Sequence, residues 1–132
     1  MILSAEEFVQ LRLSSDPAQY NRASQEEASE QIWFEVIDRF PDLRAWVVLN
    51  KTVPISILDF LSNDFDPEIR AIVADKRKLT PELRYKLALD TDSSVRARIA
   101  CNAKCEYEIL ILLANDVEFH VREAALNKLN LK

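Results

Sequence analysis

Asp38, Asp64, Asp90 and Asp116 recur at one constant step along the chain, and their surroundings repeat with them. Leu43, Ile69, Val95 and Val121 keep the same step, and Arg44, Arg70, Arg96 and Arg122 come directly after them. Four copies of an Asp-x4-aliphatic-Arg pattern in 132 residues are an internal repeat. Self-similarity at such a period means small supersecondary units that bury their apolar faces only by stacking on one another. Ahead of the last three Asp residues lie Ile57 and Leu61, Leu83 and Leu87, and Ile109 and Leu113. Each pair has the i, i+4 spacing of one helix face.

Each unit therefore reads as two short helices. The clearest unit predicts a first helix over 54–63 ("PISILDFLSN") and a second over 66–75 ("DPEIRAIVAD"), with Asp66 as N-cap and Pro67 just inside. In the next unit Thr80 caps a helix opening on Pro81; the last second helix, "DVEFHVREAALN", has no proline and relies on Ala and Leu propensity. Short connections make successive helices antiparallel. Ile69 and Val73, Val95 and Ile99, and Val121 and Ala125 stripe the second helices, so stacked units would share one core: an α-solenoid.

The N-terminal part fits less well. Ser4 and Glu7 match a capping box opening a helix over 4–13, "SSDPAQYN" reads as a polar loop, and a longer helix is expected from about Ser24 to Arg39. Its apolar residues Ile32, Phe34, Val36 and Ile37 are out of phase with the later units. The expected organisation is a single domain: a capping region at 1–37, a degenerate half unit at 38–49, and repeats at 50–75, 76–101 and 102–127, closed by "LNLK".

The chain contains no glycine. Glycine permits positive φ and close backbone approach to a ligand. Its absence removes Gly-rich phosphate loops, dinucleotide fingerprints, nucleophile elbows and standard calcium loops. The net charge of −5 is uneven. Residues 1–49 hold nine acids and four bases, whereas residues 76–104 hold eight bases and three acids. Cys101 and Cys105 are too few for a disulfide framework. "MILSAEEFVQL" lacks a basic leader, and no apolar run approaches the roughly 18 residues of a membrane span, so the expected compartment is the cytoplasm.

The pattern resembles the HEAT-like repeat superfamily. The 26-residue period and the loop-start residues Asn50, Lys76, Asn102 and Lys128 are closest to its leucine-rich repeat variant branch, over about residues 38–132. The resemblance implies a right-handed α-solenoid in which Asp38, Asp64, Asp90 and Asp116 form a ladder with Arg44, Arg70, Arg96 and Arg122 between adjacent units. Some variant-repeat proteins carry an extra cysteine cluster for an iron–sulfur centre; two cysteines do not supply four ligands, so no cofactor is expected.

No residue pattern points to catalysis or to a metal. His120 is the only histidine, at a position held by Asp42, Glu68 and Ser94 in other units, and reads as an exposed first-turn residue. Cys101 and Cys105 read as small buried hydrophobes at a unit junction. Trp46 falls where Ile72, Arg98 and Ala124 fall, a position too variable for strict core. It fits either a partner-facing surface or packing against the N-terminal helices. "DKRKLTPELRYK" (75–86) is a solvated basic stretch or a contact patch.

The expected function is non-catalytic protein binding through an extended face, the partner's identity unknown. Candidate contacts are Trp46, Lys76, Arg77, Arg84, Arg98, Glu26, Glu30 and Asp42. One concrete form is a bacterial immunity or antitoxin-like protein whose acidic end (Glu26, Glu27, Glu30, Glu35, Asp42) covers a basic cleft. The alternative is nucleic-acid binding by the basic middle repeat.

Overall fold

A computed structural model describes residues 1–130. Of the closing "LNLK", Leu131 and Lys132 lie outside the described residues. Among the described residues there are ten α-helices, one 3-10 turn and no strand. No helix among them is long and apolar enough to cross a membrane. The helices group into two compact units, Met1–Leu61 and Ser62 onward. The boundary passes through the repeat at 50–75, between its two helices.

The first unit holds α1 (Ala5–Leu13), α2 (Pro17–Gln25), α3 (Glu30–Arg39), the 3-10 turn Pro41–Leu43, α4 (Arg44–Leu49) and α5 (Ile55–Leu61). Ser4 caps α1 by accepting from the Glu7 N–H at 3.0 Å. Glu7 reaches back one position further than a standard capping box, accepting from the Leu3 N–H at 2.7 Å. The expected polar loop is a correction: "SSDPAQYN" contains the start of α2. Asp16 accepts from the Ala18 N–H at 3.0 Å and Pro17 occupies the first turn, the same cap that opens the repeat helices. The helix expected from Ser24 starts later. α2 ends with Glu26 as C-cap, and Ser29 caps α3 by accepting from the Ile32 N–H at 3.3 Å. The core of this unit is built on Phe8 and Trp33, edge to face at 5.2 Å, with Val36, Val47, Val53, Ile57 and Leu58 also buried.

The second unit holds α6 (Pro67–Ala74), α7 (Pro81–Ala88), α8 (Ser93–Cys101), α9 (Tyr107–Leu113) and α10 (Phe119–Asn130). Asp66, Thr80 and Asp92 accept from the N–H groups of Glu68, Leu83 and Ser94 at 2.9, 3.1 and 2.8 Å. α6 packs on α8 and α8 on α10, while α7 lies against α8 and α9. The stripe residues Ile69, Val73, Val95, Ile99, Val121 and Ala125 are all buried, as are Leu83, Leu87, Ile109 and Leu113 of the first helices.

Candidate interaction surfaces

The repeated Asp and Arg side chains make one hydrogen-bond set, executed twice in the second unit. Asp90 closes its own loop by accepting from the Asp92 N–H at 2.9 Å. Arg96, six positions on, donates Nη1 to the Asp90 carbonyl at 2.8 Å. Its Nε and Nη2 then fork onto the carboxylate of the next register, Asp116, at 2.8 and 3.1 Å. Arg70 repeats the set with the Asp64 carbonyl at 2.7 Å and the Asp90 carboxylate at 2.8 and 3.1 Å. Arg122 again bonds the carbonyl of its own register, Asp116, at 2.9 Å. This geometry explains the Asp-x4-aliphatic-Arg spacing. The loop Asp supplies a carbonyl, a turn and a carboxylate, and only arginine's planar fork reaches two of these acceptors together. The hydrogen bond and proximity of Arg96 hold the Asp116 carboxyl below its ordinary range.

The first register departs from this pattern. Asp38 is not a loop residue but lies exposed in the last turn of α3. Arg44 donates Nε to the Pro41 carbonyl at 2.8 Å, within the 3-10 turn that replaces the loop.

A second recurring device sits at the loop starts. Asn102 is buried and donates Nδ2 to the carbonyls of Ala74 and Lys76 at 2.8 and 2.9 Å, while its Oδ1 accepts from the Lys104 N–H at 2.8 Å. Asn50 does the same in the first unit, toward Ala23 and Glu26, with Thr52 as donor. Lys128, at the register after Asn102, donates Nζ to the carbonyls of Cys101 and Asn102 at 3.2 and 3.0 Å. The buried junction residue is thus Asn102. The cysteines are a correction: Cys101 is exposed and Cys105 half-buried. Among the described residues no group of three or more His, Cys, Asp or Glu could hold a metal ion, and His120 is exposed.

The candidate contact residues divide by how the fold uses them. Arg84 is buried in the second unit, a correction to its reading as a partner-facing base. It forks onto Glu106 at 2.9 Å twice and donates to the Leu79 carbonyl at 2.5 Å. The same pair holds the Glu106 carboxyl low. Arg98 is exposed and paired with Asp75. Burial and the neighbouring Lys78 lower Lys76, and Arg77 is exposed. At the acidic end, Glu26 is held at about 2 by Arg22 and the N-terminal amine. Glu30 bonds the Ser56 hydroxyl, Glu35 pairs with Arg39 at 2.8 Å, and Asp42 is exposed in the 3-10 turn.

Exposed apolar side chains mark the short loops joining first to second helices. Phe65 and Val117 leave 84% and 86% of their surface in solvent, and Leu89 and Phe119 are also exposed. Phe65 and Leu89 border an open depression of about 400 Å³ in the second unit, with Arg70 and Asp90 along its lining.

The first unit contains a different site. Trp46, 38% exposed, packs against the N-terminal helices, with the Arg12 guanidinium over its ring at 3.3 Å. The two side chains, with Tyr20 and Leu49, line a cavity of about 440 Å³ between the end of α1, α2 and α4. Comparison with protein-family models, curated proteins and solved structures finds no match.

Proposed function

We propose that this chain is a non-catalytic protein-binding module, built as a right-handed α-solenoid of HEAT-like repeats of the leucine-rich repeat variant type. The repeat-related ladder of Arg70, Arg96, Asp90 and Asp116 supports the architecture. The observation that carries the function is the set of exposed apolar side chains at the repeat loops, Phe65, Leu89 and Val117, and at the start of α10, Phe119. Exposed apolar groups beside polar ones mark protein contact surfaces. The arginines work against a phosphate-binding reading. Arg70, Arg84, Arg96 and Arg98 each carry a carboxylate partner, which leaves less positive charge for a nucleic-acid backbone than the sequence count implies.

The test is affinity capture with the wild type and a Phe65→Ser, Val117→Ser variant, after circular dichroism shows both are equally helical. A protein held by the wild type and released by the variant is expected. Duplex or single-stranded oligonucleotides bound with a steep salt dependence, and unaffected by the two substitutions, would overturn the reading.

A further inference from the structure

Arg12 differs from the other arginines of the first unit. Arg22 pairs with Glu26 and Glu7, Arg39 with Glu6 and Glu35, and Arg44 bonds the Pro41 carbonyl. The Arg12 Nε is shielded from solvent without a hydrogen-bond acceptor. No carboxylate or carbonyl among the described residues meets its Nη groups either. A buried, unsatisfied donor is costly and uncommon, and a charged one more so. What holds Arg12 in place is the face of Trp46 at 3.3 Å. The guanidinium carbon lies over that ring and the residue lines a cavity of about 440 Å³, so the Nη end, rather than the shielded Nε, is the part a ligand there can reach. Trp46, Tyr20 and Leu49, each partly exposed, supply the large apolar side chains of the lining, which Asn21, Ala23 and Ser24 complete.

From this arrangement we infer that the cavity is a binding site for an apolar carboxylate, its acid group on Arg12 and its hydrocarbon body against Trp46, Tyr20 and Leu49. The volume falls within the range of small-ligand pockets, which combine apolar walls with a few placed polar groups. One planar guanidinium matches one carboxylate bidentately. Arg12 is the one cation in the cavity lining, within a segment of nine acids and four bases, which disfavours ligands of higher negative charge, such as nucleotides. Two sources share this chemistry: the C-terminal residue of a peptide and a free aromatic or aliphatic acid. The inference stands on the first unit alone and is independent of the loop-edge reading above.

The experiment is calorimetric titration of the full chain with N-acetylphenylalanine, with its amide, and with a pentapeptide ending in phenylalanine as free acid and as amide. Each acid should bind, and each amide should bind roughly ten- to hundredfold more weakly, the usual worth of hydrogen bonds to a charged group. Arg12→Gln should erase the preference for acid over amide. Because Arg12 lacks a protein acceptor, that variant gives up only its stacking on Trp46, so it should keep a wild-type circular dichroism spectrum with at most a small drop in urea midpoint, and lost binding is not lost folding. Trp46→Phe should weaken acid binding while keeping some preference for it. A pentapeptide bound tenfold or more tightly than N-acetylphenylalanine identifies a C-terminus as the ligand; equal affinities identify a free acid. Acid and amide bound alike by the wild type, or a preference that survives Arg12→Gln, overturns the inference. Acid-selective binding in a chain that captures no protein would retain this site and remove only the binding-module reading.

Discussion

Asp90 does three jobs with one side chain and one carbonyl. It makes its loop turn at the Asp92 N–H, receives the Arg70 fork, and lends its carbonyl to Arg96. The Arg70 and Asp90 side chains are 15% and 9% exposed, so removing one partner strands a largely desolvated charge. Asp90→Ala is expected to lower unfolding free energy by about 2–3 kcal/mol, somewhat below the cost at full burial. Asp75→Ala, which breaks a pair with both side chains 48% exposed, should cost no more than about 0.5 kcal/mol. Urea midpoints measure both, and equal losses would contradict the distinction. The pH dependence follows from the same kind of pair. Asp116 and Glu106 are held below their ordinary carboxylate range by Arg96 and Arg84, so near pH 4 the folded chain binds fewer protons than the unfolded one. Their stabilisation should be complete above about pH 4–5, the unfolded values, and lost as pH falls through the lower folded values. Asp116→Asn should flatten that acid slope in unfolding measured between about pH 3 and 6.

At the scale of elements, caps and junctions matter more than propensity, because most helices here are about two turns long. Thr80→Ala should cost about 1 kcal/mol, the usual loss of a side-chain N-cap. Asn102→Ala should cost more, about 2 kcal/mol, because it strands the Ala74 and Lys76 carbonyls and the Lys104 N–H. Chemical denaturation of the two variants side by side checks the order. These elements also show what a sequence reveals. The repeat helices are legible because Asp66–Pro67 and Thr80–Pro81 caps coincide with apolar stripes. α2 carries the same signal at Asp16–Pro17, but buries only Ala23 fully. With almost no apolar face there is no period to detect, and a polar composition imitates a loop. The junction asparagines are visible as the same residue type at the loop starts Asn50 and Asn102. Their bonds to carbonyls at the end of an earlier helix have no local signature.

For the whole molecule, charge counting misleads where folding consumes the charge. The eight bases of residues 76–104 predict a basic face, but Arg84, Arg96 and Arg98 answer carboxylates within the second unit. Binding to a single-stranded oligonucleotide at about 50 mM salt should therefore be weak, with a shallow slope of log affinity against log salt, readable by fluorescence anisotropy. A slope implying many phosphate contacts would sink this expectation. The cavity of the first unit is half legible. Trp46 stands out because its register is variable; Arg12 does not, because α1 lies outside the repeat and the stacking joins helices far apart in sequence. Aromatic and arginine residues can be noticed singly, but a guanidinium without an acceptor exists only in three dimensions.

The ladder also makes length negotiable. In the registers of Arg70 and Arg96 the acceptor carbonyl precedes the arginine by six positions, and the receiving carboxylate follows it by 20. A block of one full period therefore carries matching ends. Excising 65–90 would set Asp64 where Asp90 stood, six positions before Arg96, and leave the fork onto Asp116 in place. Glu106 would lose Arg84, at a position open enough for water to serve it. Such a shortened chain should remain helical and melt cooperatively, whereas excising 65–88, which breaks the register, should not. On the solenoid reading proposed above, such a chain can change size by copying or dropping whole blocks, a kind of variation closed to folds whose core is assembled only once.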